Sequence, residues 1–214
     1  MTWLDLTGAP GSIHLMSTIR SVCVYCGSSP GRVPSYVESG RALGAALAAA
    51  DLRLVYGGGT RGIMGAVSGA TIAAGGKVTG IIPAFLLSKE AKDGTQDGLD
   101  ELHVVETMHV RKHMMFEKSD AFVALPGGLG TVEEIIEIMT WAQLGQHRKP
   151  MVFANLNGFW EPMRILIDHM AAEGFIHSAH QVRPIFVDAI ADIVPAILAH
   201  GDPKDGNDAV IKKL

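Results

Sequence analysis

Cysteine is scarce in this chain, with two among 214 residues. So few cannot build a disulfide framework, and a cytosolic setting is the default expectation. Cys23 and Cys26 do form a C-x-x-C, but a redox pair needs its first cysteine near a helix N-terminus. Here both sit in Ser21-Val22-Cys23-Val24-Tyr25-Cys26, which reads as a buried strand, where residues three apart face opposite ways. Core packing is the expected role. Positive charge is also in short supply: 18 basic against 22 acidic residues give a formal net charge of −4, with no long basic run. A nucleic-acid or anionic-membrane partner therefore has no electrostatic footprint, although a local basic pocket for a small anion remains compatible. Long apolar runs are missing too. No segment approaches the roughly 20 residues of a transmembrane helix. Residues 1–16 lack the basic start and unbroken apolar stretch of a signal peptide. Gly8, Pro10 and Gly11 break any helix there, so a flexible extension is expected.

What the chain does have is 48% hydrophobic and 19% charged residues, the balance of one packed globular domain. Strand-length apolar runs alternate with helix-period segments. Strands are expected at 19–26, 52–56, 77–82, 102–105, 121–125, 151–154 and 185–187. Helices are expected at 34–50, 63–74, 108–118, 131–144, 159–173 and 189–200. The polar stretch 88–100 reads as a mobile loop, and 201–214 as a polar tail. Continuous apolar strands alternating with helices imply an α/β fold: a single Rossmann-like domain over 17–200, its mostly parallel sheet covered by helices on both faces. Ligands in such sheets bind beyond the carboxyl ends of the strands.

Two glycine-rich turns fall at those ends. Gly57-Gly58-Gly59-Thr60-Arg61-Gly62 matches G-x-G-x-x-G, but an NAD site wants an acidic residue about twenty positions on. Lys77-Val78-Thr79-Gly80-Ile81-Ile82 offers none, so NAD is discounted. Backbone N–H groups and a helix N-terminus remain to cradle a phosphate, and a tight turn needing positive φ is the structural alternative. Pro126-Gly127-Gly128-Leu129-Gly130-Thr131 is the second turn. It is no Walker loop, since no Gly-Lys-Ser/Thr follows. Beyond it stand Val132, Glu133, Glu134 and, one helical turn on, Glu137. Thr131 with Glu134 fits a capping box, and Glu134 equally fits a catalytic carboxylate. Upstream, Arg111 shares a helical stripe with Met108 and Met115 and is expected to be partly buried and paired. His109 and His113 have the spacing of a zinc helix, but the residues between them are basic and no catalytic glutamate follows His109, so no metal site is expected.

Taken together, Pro-Gly-Gly-x-Gly-Thr-x-x-Glu at 126–134, Arg111-Lys112, Tyr25-Cys26-Gly27-Ser28-Ser29, Tyr56-Gly57-Gly58-Gly59, Asp120-Ala121-Phe122 and Thr140-Trp141-Ala142-Gln143-Leu144-Gly145 resemble the LOG ("Lonely guy") family. Its members are cytokinin riboside 5′-monophosphate phosphoribohydrolases, once called lysine decarboxylases. The resemblance runs from about Ser21 to Ile193. By position it implies Arg111 and Glu134 as catalytic residues. It implies nucleotide contacts at Lys112, Gly127, Gly128, Leu129, Gly130, Thr131, Val132, Glu133 and Thr140, with a further substrate-contacting glutamate at Glu90. Gly57, Gly58, Gly59 and Thr60 complete a phosphate loop. The implied reaction is hydrolysis of a nucleoside 5′-monophosphate, AMP included, to free base and ribose 5-phosphate. The implied state is a homodimer without metal or organic cofactor. Arg111 is expected to keep Glu134 ionised at neutral pH. The competing reading within this fold is a nucleotide carrier without catalysis. A decarboxylase would need pyridoxal phosphate on a lysine, and only Lys112 stands near the site, with no accompanying signature.

Overall fold

The structure, a computed structural model, describes residues 19–91, 97–176 and 184–200. The expected extension 1–16 and tail 201–214 lie outside the described residues. Strands are β1 (Ser21–Tyr25), β2 (Arg53–Tyr56), β3 (Val78–Pro83), β4 (Glu101–Val105), β5 (Ala121–Ala124), β6 (Met151–Ala154) and β7 (Ile185–Val187). Helices are α1 (Ser35–Ala49), α2 (Gly62–Ala73), α3 (Leu87–Glu90), α4 (Met108–Glu117), α5 (Leu129–Gln143), α6 (Glu161–Ala172) and α7 (Ile193–His200). The strands form one sheet in the order β4-β3-β2-β1-β5-β6-β7, and every neighbouring pair is parallel. The α/β expectation holds. The order reverses between β1 and β5, which places the switch-point crevice above those two strands.

Two apolar layers cover the sheet. Leu43 and Leu47 of α1, Ile63 and Val67 of α2, and Ile193 and Ile197 of α7 pack on one face. Met115 of α4, Ile135 and Ile138 of α5, and Trp160 and Ile167 pack on the other. Cys26 belongs to the first layer and Cys23 to the second. Both thiols are free and buried, as strand alternation requires. The first layer is tight because α1 carries Gly44 where it meets α2. A Cβ there would stand 2.3 Å from the Val67 carbonyl oxygen. Asp120 explains its place among the motif residues structurally. Its carboxylate accepts from the amides of Arg20 at 2.8 Å and Ser21 at 3.0 Å and from the Ser21 hydroxyl at 2.9 Å, fastening β5 to β1.

Most boundaries move by one or two residues from expectation, and three differences alter the reading. The supposed loop from Ser88 begins inside structure: a 3-10 turn at Ala84–Leu86 runs straight into α3. Residues 92–96 of that loop lie outside the described residues. The last helix is divided, with a 3-10 turn at Ile190–Asp192 before α7. The third difference changes the chemistry. Helix α5 starts at Leu129, two residues before Thr131, and its N-cap Gly128 is extended (φ −98°, ψ −157°) with no side-chain cap. The capping box between Thr131 and Glu134 is therefore not formed. Thr131 lies inside the helix and fills the space beside Gly127, where a Cβ would meet its Oγ1 at 2.1 Å.

Candidate active site

The crevice is assembled from the backbone upward. After β1 the chain turns at Gly27, whose amide donates to the Pro126 carbonyl at 3.1 Å and whose carbonyl accepts from the amides of Ile63 and Met64 at 3.1 and 3.3 Å. One residue thus ties the second glycine turn to the N-terminus of α2. Gly62 adopts φ +57° directly beneath this turn, where a Cβ would sit 2.5 Å from Ser28 backbone. In the other turn Gly58 takes φ +77°, a conformation costly for residues with a side chain. Gly57 serves differently. It leaves room for Arg111, since a Cβ at 57 would lie 1.9 Å from Nη2, and its carbonyl accepts from that Nη2 at 3.3 Å.

Arg111 reaches this point because Thr107 starts α4 one turn earlier, its Oγ1 accepting from the Val110 amide at 3.2 Å. Arg111 is 5% exposed and Glu134 8%, and Nη1 of the arginine lies 3.6 Å from Oε1 of the glutamate. Glu134 is the sixth residue of α5, beyond reach of the helix start, so it caps nothing. Burial pushes its carboxyl up to about 7; Arg111 opposes this, while Glu133 and Glu90 add to it. The expectation that Arg111 simply keeps Glu134 ionised is therefore corrected: desolvation outweighs the partner, and the group titrates near neutrality.

Glu90, at the end of α3, joins the same wall. Its carbonyl accepts from the Thr60 amide at 2.8 Å, which fixes α3 to the first glycine turn. Glu90 Oε2, Arg111 Nε and Glu137 Oε2 are buried without a hydrogen-bond partner among the described residues. Such groups are costly unless a ligand or water completes them. Lys112 lies beside Arg111 and is hydrogen-bonded to Glu133 Oε1 at 2.5 Å and to Glu137 Oε1 at 3.1 Å. Burial lowers the pKa of its ammonium, but these two bonds prevail and hold it above the ordinary lysine value.

The structure therefore gathers Gly57, Gly58, Gly59, Thr60, Glu90, Arg111 and Glu134 with Gly127, and sets Lys112 and Glu133 alongside. Gly128 and Gly130 border open space, where a Cβ would meet nothing within 4 Å. Leu129 projects outward, 90% exposed, and Val132 is half-buried behind it. Thr140 is not brought in. It lies two turns beyond Glu133, about 10 Å along the helix, exposed, with its hydroxyl donating to the Ile136 carbonyl at 2.8 Å. Gly27 and Thr107 are two residues that side-chain chemistry did not single out for these roles. Their signals are positional: a glycine directly after the switch-point strand, and a threonine just ahead of an apolar helical stripe. Among the described residues, no group of three His, Cys, Asp or Glu side chains is gathered to hold a metal ion.

These features can be set against known proteins. Residues 64–197 match the family model described as possible lysine decarboxylase. A cytokinin riboside 5′-monophosphate phosphoribohydrolase of Rhodococcoides fascians is 46% identical over 87% of this chain and 93% of its own. The Arabidopsis thaliana relative LOG7, of the same name, is 46% identical over 75% of this chain and 72% of its own. Among solved structures, the molybdenum cofactor carrier protein of Chlamydomonas reinhardtii superposes with a TM-score of 0.61 at 18% identity, covering 84% of this chain and 96% of that one. A molybdenum cofactor binding protein of Rippkaea orientalis gives a TM-score of 0.61 at 20% identity over 85% and 96%. At those identities the likeness is one of fold alone. Sequence identity across most of two chains is a stronger tie, and by it this chain belongs to the LOG family, the group of the phosphoribohydrolases to which it is similar.

Proposed function

We propose that this chain hydrolyses the N-glycosidic bond of a nucleoside 5′-monophosphate, of the cytokinin riboside type or AMP, releasing free base and ribose 5-phosphate. The buried Arg111–Glu134 pair between two glycine turns at the switch point is the observation that carries this reading. Breaking the bond builds oxocarbenium character on the ribose. The wall that faces it holds four carboxylates (Glu90, Glu133, Glu134 and Glu137) against two cations (Arg111 and Lys112), a balance that favours a developing positive charge. The same balance disfavours phosphate. The 5′-phosphate is therefore assigned to backbone amides, those of Gly57 to Gly59 ahead of α2 and of Gly127 to Thr131 at the N-terminus of α5, the Thr60 amide being already given to the Glu90 carbonyl. Glu134 in its ionised form takes a proton from the attacking water as the water oxygen bonds the anomeric carbon. The electron pair of the broken bond leaves with the base, which is protonated as it departs. Arg111 orients Glu134, and Glu90 with its free oxygen accepts from a ribose hydroxyl or water.

Exposed Val110 on α4 and Leu129 at the start of α5 beside the site, with exposed Leu144 just past the far end of α5, support a homodimer joined along this face. Thr140, exposed on the same helix, would meet the nucleotide only from that side. Among the described residues no helix is long and apolar enough to cross a membrane, which accords with a cytoplasmic enzyme. Chromatography of base released from a panel of nucleoside mono- and triphosphates and free nucleosides tests the reading. Release confined to 5′-monophosphates, lost in Glu134→Gln and in Arg111→Ala with the fold intact, is expected, with a rate that climbs as pH rises through about 7. Nucleotide binding with no base release would make the chain a carrier instead.

A further inference from the structure

The connection from α5 to β6 passes through His147 and Lys149, and each grips one of the two helices that carry Arg111 and Glu134. Lys149 stands just ahead of β6, at the amino ends of the strands and so opposite the crevice. His147 is 5% exposed. Its Nδ1 accepts from the Lys149 amide at 3.1 Å, so the ring proton sits on Nε2, which donates to the Ile138 carbonyl at 2.8 Å. Ile138 lies one turn beyond Glu134 on α5. Lys149 acts on the other helix. Its Nζ donates to the Phe116 carbonyl at 2.8 Å and lies 3.9 Å from the centre of the Phe116 ring. Phe116 is in the last turn of α4, where carbonyls lack helical partners and the dipole favours a cation. The same ring completes the joint. It meets Trp141 of α5 edge-on at 4.9 Å and His147 at 5.2 Å, and stacks on Phe122 of β5 at 5.9 Å. Burial outweighs the attraction of Asp120 and Glu117 and lowers the pKa of the Lys149 ammonium. An apolar side chain would fill that space without losing hydration. What the two polar groups add is direction, one bond to each helix. The Arg111–Glu134 contact, at 3.6 Å, is longer than a hydrogen bond and cannot fix the helices by itself.

We propose that His147 and Lys149 are positioning residues, a clamp behind the site that holds α5 and α4 in the arrangement that brings Glu134 to Arg111. The catalytic part of this proposal rests on the hydrolase reading above. The charged groups acting on Glu134 are Arg111 and Lys112 from α4, Glu133 from its own helix and Glu90 from α3. From β1 come Cys23, Tyr25 and Cys26, which burial keeps protonated. Arg111 draws the Glu134 titration downward. Opening the clamp lets the two helices part, so that titration moves to higher pH.

His147→Phe keeps a ring and loses both bonds, and Lys149→Met keeps the length and loses the bond to Phe116. Both are to be compared with the unaltered protein by steady-state kinetics per folded molecule, well below the unfolding temperature, and by carbon-13 NMR titration of Glu134 without ligand. In each, kcat falls on the order of tenfold or more, as for a displaced catalytic group. KM for AMP moves by less than about threefold, and the Glu134 titration shifts upward. In an Arg111→Ala background neither substitution moves the titration further. His147→Gln keeps a donor for Ile138 and Lys149→Arg keeps the charge, and both restore kcat and the titration. A role in stability alone lowers the urea midpoint and leaves kcat of the folded molecules and the titration unmoved. Either one unmoved overturns the clamp, as does a shift that persists without Arg111. Should His147→Phe and Lys149→Met fail to fold, the two conservative variants decide: native kcat and titration in both support the clamp, and loss of either in a folded protein overturns it. If the unaltered protein releases no base, the hydrolase reading fails, while the NMR titration still tests the clamp.

Discussion

At the scale of single residues, Glu134 and Gly57 define the site. The Glu134 carboxyl is raised from 4.5 to about 7 by burial. Between those values the folded protein holds a proton that the unfolded chain has already released, so stability falls as pH rises through that window. Glu134→Gln lacks this loss. Relative to the unaltered protein it gains on the order of 3 kcal/mol between about pH 4.5 and pH 8. Urea unfolding at the two ends of that range is the check, and an unchanged difference would mean that Glu134 titrates normally. Gly57→Ala drives its methyl into the Arg111 guanidinium, the mobile end of a long side chain. The protein is expected to fold with an unaltered circular dichroism spectrum yet lose on the order of a hundredfold in turnover, as Arg111 leaves its place. Retained activity would show that Arg111 can act from elsewhere. The residues of this pair were legible in the sequence, because an arginine in an apolar helical stripe must be buried and matched. The protonation of Glu134 was not legible, since it depends on how completely Cys23, Tyr25 and Cys26 of another element exclude water.

At the scale of elements, helix α5 separates glycines that shape the fold from glycines that leave room. Gly127 is packed against Thr131, and Gly44 of α1 against the α2 backbone, whereas Gly128 and Gly130 face open space. Gly44→Ala is expected to destabilise by about 1–3 kcal/mol through overpacking, read as a lower urea midpoint. Gly130→Ala, inside a helix with nothing to strike, should stabilise by about 1 kcal/mol and raise Tm, while impairing turnover if nucleotide approaches that backbone. Unimpaired turnover would remove Gly130 from the binding turn. Strand and helix order could be read from periodicity almost throughout. The start of α5 could not, because Thr131-x-x-Glu134 is a valid cap in isolation, and only the meeting with Gly27 and Gly127 turns Thr131 inward. α3 escaped for a related reason. Its four residues carry no period long enough to recognise, and Thr60 of the first glycine turn holds them in place.

At the scale of the whole molecule, the seven parallel strands place β1 and β5 at the centre and β4 and β7 at the edges. Hydrogen exchange should therefore grade outward. Amides of Val22 to Tyr25 and of Phe122 and Val123 should open only with global unfolding, and those of β4 and β7 by cheaper local opening. Equal protection across the sheet would contradict this. The fold class was evident from alternation alone; the strand order was not, because nothing local to β5 announces that it pairs with β1, the contact that creates the crevice. One consequence reaches beyond the site. A buried carboxyl that titrates at about 7 makes the protein near neutrality a mixture of two protonation states. Any ligand that arrives with charge must then trade protons with the buffer. An anionic phosphate ester favours the protonated form and draws protons in, while a cationic mimic of the ribosyl transition state favours the carboxylate and expels them. The heat of binding will depend on the buffer's own ionisation enthalpy, with opposite sign for the two ligands.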